Sequence, residues 1–239
     1  MSSPKFYDEY VTYQVKCGIN DRIVGLYKRL KRTNINTYTS VLEIGCGIGT
    51  LTSLMLRKIK TGRIEAIDIS SKSIEFAKQH LYAPNLTMWA GDAMLFQPIA
   101  PAFDRVLLFD VLEHIPLQMH TALFKLIRKW MHADGLLLIN LPNPAYILFD
   151  QINNPSALQE IDQPVYISQL ADTLEQANLD IVQMETYSVW VKDDYQYLIV
   201  KMRKTFNEEL LSGKRNIIEK AVVWMKRKWW KLVYPYPPG

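Results

Sequence analysis

Apolar positions along this chain change spacing repeatedly, and each change marks an element. Between residues 5 and 33, Phe6, Tyr10, Tyr13, Val15, Ile19, Ile23, Leu26, Tyr27 and Leu30 recur among charges, as in one or two amphipathic helices. A polar connection, residues 34–40, leads to Val41, Leu42 and Ile44, which read as a buried strand. Beyond Thr50, helical spacing returns at Leu51, Leu54, Met55 and Ile59. The alternation then repeats. A strand over residues 63–70 precedes a helix over 71–82, and a third strand covers 86–90. A fourth strand follows at 103–110, then a helix carrying Met119, Leu123, Leu126, Ile127 and Trp130 that ends near Asp134-Gly135, then a fifth strand at 136–141. The near-continuous apolar run of the fourth suits a parallel strand buried on both faces. A helix over 166–178, a strand near 181–190 and a last strand at 195–202 complete the series, and Asp193-Asp194 implies a hairpin between the last two.

Glycines punctuate the first strand-to-helix turn, in Val41-Leu-Glu-Ile-Gly-Cys-Gly-Ile-Gly-Thr-Leu-Thr52. Gly45, Gly47 and Gly49 allow a tight turn and a close backbone approach to a ligand, and the following helix offers unpaired N–H groups. The dinucleotide fingerprint GxGxxG places its third glycine one position later. Here the order is GxGxG, and Glu43 stands two residues before the first glycine. A carboxylate there would repel a pyrophosphate but suits a cationic or zwitterionic ligand. A nicotinamide oxidoreductase is therefore disfavoured.

With its ExGxGxG form, the segment resembles the first motif of the class I S-adenosylmethionine-dependent methyltransferases. The resemblance implies that Glu43, Gly45, Cys46, Gly47 and Gly49 cradle the amino-acid end of S-adenosylmethionine. It also implies a Rossmann-like, doubly wound α/β sheet of seven strands, the last antiparallel and inserted between the fifth and sixth. An N-terminal helical cover over residues 1–40 would precede the cofactor-binding domain at 41–203. Within that cover, Tyr7, Tyr10 and Tyr13 could wall the pocket or simply pack.

Further acids stand where strands end. Asp68, 19 residues past Gly49, is placed to accept hydrogen bonds from both hydroxyls of a ribose; Ile69 would then line the adenine. At the third strand end, Asp92 and Ala93 match the family positions that meet the adenine amino group and a ring nitrogen. The fourth strand ends in Asp110-Val-Leu-Glu-His-Ile-Pro116, a loop expected to face the transferred methyl. His114 with Asp110 could remove a proton from the acceptor. Equally, Asp110, Glu113 and His114 suit a divalent ion such as magnesium. DVLEHIP looks like its counterpart in the ubiquinone-biosynthesis O-methyltransferases, where that spacing holds such an ion. A purely structural loop is the third reading.

Beyond the fifth strand, Pro142-Asn-Pro-Ala-Tyr146 is read as a rigid turn into a polar loop or substrate lid over 146–165. Tyr146, Asp162 and Gln163, with Tyr10, are the candidate substrate contacts.

Composition adds limits. Forty-nine per cent of the 239 residues are hydrophobic, enough for a real core. A run of about 18 apolar residues is absent, as is the apolar stretch of a signal peptide at the start. Cys17 and Cys46 are the only cysteines, which indicates neither a disulfide framework nor a cysteine zinc site and suits the cytoplasm. The formal charge of +4 conceals an excess of basic residues after position 200. Residues 204–239 form a basic tail whose 214–234 stretch puts Ile218, Val222, Met225, Trp229 and Leu232 on one helical stripe. Such a helix suits an anionic membrane surface, its own domain, or a second copy in a homodimer. No groove-reading motif accompanies the charge, so nucleic acid is not the expected partner.

The expectation is a methyltransferase that O-methylates a small hydroxylated metabolite: a sugar, a glycan intermediate or a quinone-like compound. The alternatives are a non-catalytic S-adenosylmethionine-binding partner subunit, which keeps every motif through Asp92, and a methyltransferase acting on a protein or nucleic-acid acceptor.

Overall fold

The computed structural model describes residues 4–100, 102–159, 161–205 and 216–234. It divides into two compact units, residues 1–203 and 204–239. In the first, helices α1 (Pro4–Cys17) and α2 (Asp21–Arg32) precede a βα series: β1 (Val41–Ile44), α3 (Thr50–Lys58), β2 (Ile64–Asp68), α4 (Ser71–His80), β3 (Leu86–Ala90), β4 (Phe103–Phe109), α5 (Leu117–Trp130) and β5 (Met131–Pro142). Then come α6 (Pro144–Asn153), α7 (Ile167–Gln176), β6 (Leu179–Tyr187) and β7 (Tyr195–Met202). The sheet order is β3-β2-β1-β4-β5-β7-β6, with β7 antiparallel to both neighbours. The expected seven-stranded sheet and its inserted last strand are therefore present.

Alternating strand residues feed two layers. Leu42, Ile44, Val106, Leu108, Leu137 and Ile139 pack with Leu123, Phe124 and Ile127 of α5 and with Leu170 and Leu174 of α7. On the other face, Val41, Leu107, Phe109 and Leu138 pack with Leu26 and Leu30 of α2 and with Leu51 and Met55 of α3. Each such side chain contributes roughly 1.5–3 kcal/mol on leaving water. With both faces covered, every parallel strand must present its binding chemistry at its carboxyl end.

Two segments differ from the sequence reading. Asp134-Gly135 does not end a helix: α5 stops at Trp130 and β5 begins at once. The pairing passes from Phe103 with Met131 to Arg105 with Leu136, so residues 132–135 bulge out of the ladder. Gly135 is needed there, because a Cβ would lie 2.8 Å from the Phe103 carbonyl oxygen. The second difference is α6, which replaces the first part of the predicted polar loop. Asn143 caps it by accepting from the Ala145 N–H at 3.0 Å, and Pro144 stands in its first turn.

In the second unit, α8 (Ile217–Val233) is the described helix, and it begins in a capping box formed by Asn216 and Glu219.

Candidate active site

The carboxyl ends of β1, β2, β3 and β4 open on one cavity of about 750 Å³, which α1 and α2 also line. That size falls within the roughly 300–1,000 Å³ of small-ligand sites.

The floor is the glycine turn. Gly45 and Gly47 have φ of +79° and +52°, and both line the cavity with Glu43 and Cys46. A Cβ on Gly45 would fall 2.3 Å from Val111 Cγ2, so the turn and the loop after β4 meet with no room for a side chain. Gly49 differs from its expected role. It is absent from the lining, and a Cβ on it would meet Leu81 Cδ1 at 2.6 Å. Its φ of +80° and its closeness to α4 make it a packing glycine at the start of α3.

Three acids ring this end. Glu43 is 5% exposed and accepts a hydrogen bond from the Thr52 hydroxyl. Burial pushes its pKa up to about 8, against the Thr52 donor that lowers it. Asp68 accepts the Gly47 N–H at 2.6 Å and the Ser70 N–H at 2.9 Å, which ties the end of β2 to the glycine turn. Burial raises its pKa in opposition to those two donors. Ser70 caps α4 by accepting from the Ser73 N–H, so Asp68 is free of that task. Asp92 turns the chain after β3 through the Met94 N–H, and Ile69, Asp92 and Ala93 all line the cavity.

The helical cover is clasped to this end. Asp8 of α1 accepts from the Ser70 hydroxyl at 2.6 Å and the Lys72 N–H at 3.1 Å. Tyr7, Tyr10, Tyr13 and Gln14 of α1 all line the cavity.

The opposite end is built from the loop after β4. Asp110 has φ of +58°, a left-handed conformation uncommon for a residue with a side chain. Its N–H bonds the Asn140 carbonyl, its Oδ1 accepts from Asn140 Nδ2 at 2.7 Å, and it forms an ion pair with Arg22 of α2. The Tyr187 hydroxyl in turn fixes Asn140 at 2.7 Å. His114 Nδ1 donates to the Ile161 carbonyl at 2.6 Å and lies 3.0 Å from Asp162 Oδ1, while Nε2 faces Glu113 Oε1 at 3.9 Å. Burial alone would keep this imidazole neutral. The Glu113 and Asp162 carboxylates and the Ile161 carbonyl outweigh it and lift the pKa to about 9. Glu113 is 2% exposed, and its Oε2 has no hydrogen-bond partner among the described residues. Buried His120 holds the loop in place by donating from Nε2 to the carbonyls of Leu112 and Ile115.

The expected metal triad is not assembled. Asp110 is engaged by Arg22 and Asn140 and His114 by Asp162, and among the described residues no group of three His, Cys, Asp or Glu could hold a metal ion. Of the candidate substrate contacts, Tyr10, Tyr146 and Asp162 line the cavity. Gln163 does not. Its backbone N–H bonds the Glu113 carbonyl and its side-chain amide bonds the Ile115 carbonyl, so it braces the loop from outside. Sequence reasoning missed Arg22 and Trp190, both on the cavity wall. Trp190 is held there by Asp194, which accepts the N–H groups of Val189, Trp190 and Val191.

Residues 41–135 match the family model described as a methyltransferase domain. Those residues are a methyltransferase domain of the class I S-adenosylmethionine-dependent kind. Among curated relatives it is 30% identical over 112 residues to (S)-coclaurine N-methyltransferase of Thalictrum flavum, covering 46% of this chain and 30% of that protein. It is 28% identical over 142 residues to malonyl-[acyl-carrier protein] O-methyltransferase of Priestia megaterium, covering 59% and 49%. The chain thus spans half or less of the relatives it matches. A solved magnesium protoporphyrin IX methyltransferase from Synechocystis superposes with a TM-score of 0.61 at 17% identity, over 76% of this chain and 82% of that one. The residues present suit the family's cofactor. S-adenosylmethionine carries an ammonium and a sulfonium, and the cavity offers Glu43, Asp68 and Asp92 around a side-chain-free glycine turn.

Proposed function

We propose that this protein methylates a small hydroxylated acceptor, such as a sugar, a glycan intermediate or a quinone-like compound, on oxygen. Glu43, Gly45, Cys46 and Gly47 would hold the amino-acid end of S-adenosylmethionine, Asp68 its ribose, and Ile69, Asp92 and Ala93 its adenine. When bound, the cofactor supplies a methyl group already activated by a positive sulfur. The protein's remaining work is to align the acceptor and take its proton.

The observation that carries the reading is the orphaned Glu113 Oε2 in the cavity wall. A buried carboxylate oxygen without a donor costs stability, and an acceptor O–H directed at it removes that cost. Burial also raises the Glu113 pKa, which makes its carboxylate a stronger base than an exposed one. His114 was the expected base. With a pKa near 9 it carries a proton on both nitrogens at neutral pH and has no lone pair to offer. Its role in this account is to hold Glu113 ionised, with Asp162 orienting the ring through Nδ1. Asp110, tied to Arg22, sets the conformation of the loop and the position of α2.

A second reading is N-methylation. An amine N–H would be received by the same oxygen, and the coclaurine N-methyltransferase relative favours this class. Transfer of labelled methyl to a panel of small alcohols, phenols and amines separates the two. On the accepted class, Glu113→Gln should lower kcat by roughly 10²–10⁴-fold and leave S-adenosylhomocysteine affinity unchanged. Full turnover in that variant would remove Glu113 from the chemistry. Cofactor binding with no turnover on any acceptor would support the non-catalytic partner subunit instead.

A further inference from the structure

The reading above makes no use of α8. This helix runs for 17 residues and none of them is buried. At 100° per residue, Ile218, Val222, Met225, Trp229, Leu232 and Val233 fall on one half of its circumference. Lys220, Arg227 and Lys231 gather opposite, and Lys226 and Lys228 stand near the two borders. Five cations face one acid, Glu219. Its start is set locally by the capping box, in which Asn216 accepts the Glu219 N–H at 2.9 Å and Glu219 accepts the Asn216 N–H at 3.1 Å. Lys228 lies over Trp224 at 4.4 Å, a contact within the helix.

We propose that α8 lies in the plane of an anionic lipid surface, with Met225, Trp229 and Leu232 among the acyl-chain boundary and the lysines at the headgroups. Four observations select this occupant. A helix in a protein draws most of its stability from packing its amphipathic face, so the apolar half needs a covering phase. The five cations match anionic headgroups, and their long stems let the charge reach water while the helix sinks. A second copy fits less well: pairing the two apolar halves would bring the border cations Lys226 and Lys228 of both helices together along the seam. Trp230, near one border of the apolar half, is the kind of side chain that settles at a membrane–water boundary. No described helix is long and apolar enough to cross a bilayer, so the contact is with the surface.

The test is flotation of the full-length chain with phosphatidylcholine vesicles and with vesicles that also contain phosphatidylglycerol. Binding to the second should exceed binding to the first by at least about tenfold and fall in high salt. Lys226→Gln with Arg227→Gln keeps helix propensity and should weaken the anionic-vesicle binding. Met225→Glu with Trp229→Glu should abolish it while S-adenosylhomocysteine affinity stays unchanged. Equal recovery with both vesicle types, or recovery with neither, overturns the proposal. So does a lipid-free dimer, detected by sedimentation, that Met225→Glu with Trp229→Glu dissociates without changing vesicle recovery.

Discussion

Glu43 offers a test that needs no knowledge of the acceptor. It is fully enclosed beside the glycine turn, with the Thr52 hydroxyl as its donor, and burial puts its pKa at about 8 against an ordinary value of 4.5. Between those two values the folded protein keeps a proton that the unfolded chain has released. Raising the pH through that window therefore withdraws stability, because the unfolded chain gains free energy by ionising this carboxyl while the fold holds it protonated. For a pKa of about 8 the withdrawal reaches about 4 kcal/mol at pH 8. In a domain of this size that corresponds to a fall in Tm of roughly 8–16 °C. Glu43→Gln keeps the shape and an acceptor for Thr52 but cannot ionise. Thermal melts from pH 5 to 8 without ligand should show a Tm that falls more steeply in the parent protein than in the variant. His114 also sheds a stabilising proton as pH rises toward 9, but it does so in both proteins, so the difference isolates Glu43. Saturating S-adenosylhomocysteine should reduce the gap, since its ammonium favours the ionised carboxylate. Parallel pH dependences in the two proteins would show that Glu43 is ionised throughout and would refute the buried-proton argument.

Two further substitutions probe the same end. Gly45→Ala puts a methyl at φ +79° and 2.3 Å from Val111 Cγ2, and should cost roughly 2–5 kcal/mol of stability in urea unfolding. Asp68→Asn retains one acceptor oxygen for the Gly47 and Ser70 N–H groups but removes the charge. It should weaken S-adenosylhomocysteine binding roughly 10- to 100-fold by calorimetry. If Asp68 holds the ribose as proposed, its ionised form binds best, and burial raises its pKa, so in the parent protein affinity should fall as pH drops toward the carboxylate range.

Much of the geometry at the glycine-turn end of the cavity was legible because local physics dictates it. Positive φ at Gly45 and Gly47 admits few other residues, and an acid at the end of a buried strand, as at Asp68, has few structural uses. The end built from the loop after β4 was less legible because its arrangement depends on pairings across the sequence. Nothing near Asp110 announces that Arg22, 88 positions earlier, is its partner, or that Asp162 and Ile161 occupy His114 Nδ1. Those pairings replace the metal triad that the spacing in DVLEHIP suggests. The bulge at residues 132–135 was hidden for a different reason: Asp-Gly is an ordinary turn signal, and only the register with β4 shows it inside a strand. Helix α6 was obscured by a composition rich in aromatic and amide groups, although Asn143 and Pro144 carried its start signal.

The central claim is that the cavity between α1 and the strand ends binds S-adenosylmethionine. Calorimetric titration of the full chain with S-adenosylhomocysteine and with NADH, each with and without magnesium, tests it most directly. The account predicts one bound S-adenosylhomocysteine per chain, no NADH, and no dependence on magnesium. Failure of S-adenosylhomocysteine to bind would make the glycine turn a structural feature and contradict the account.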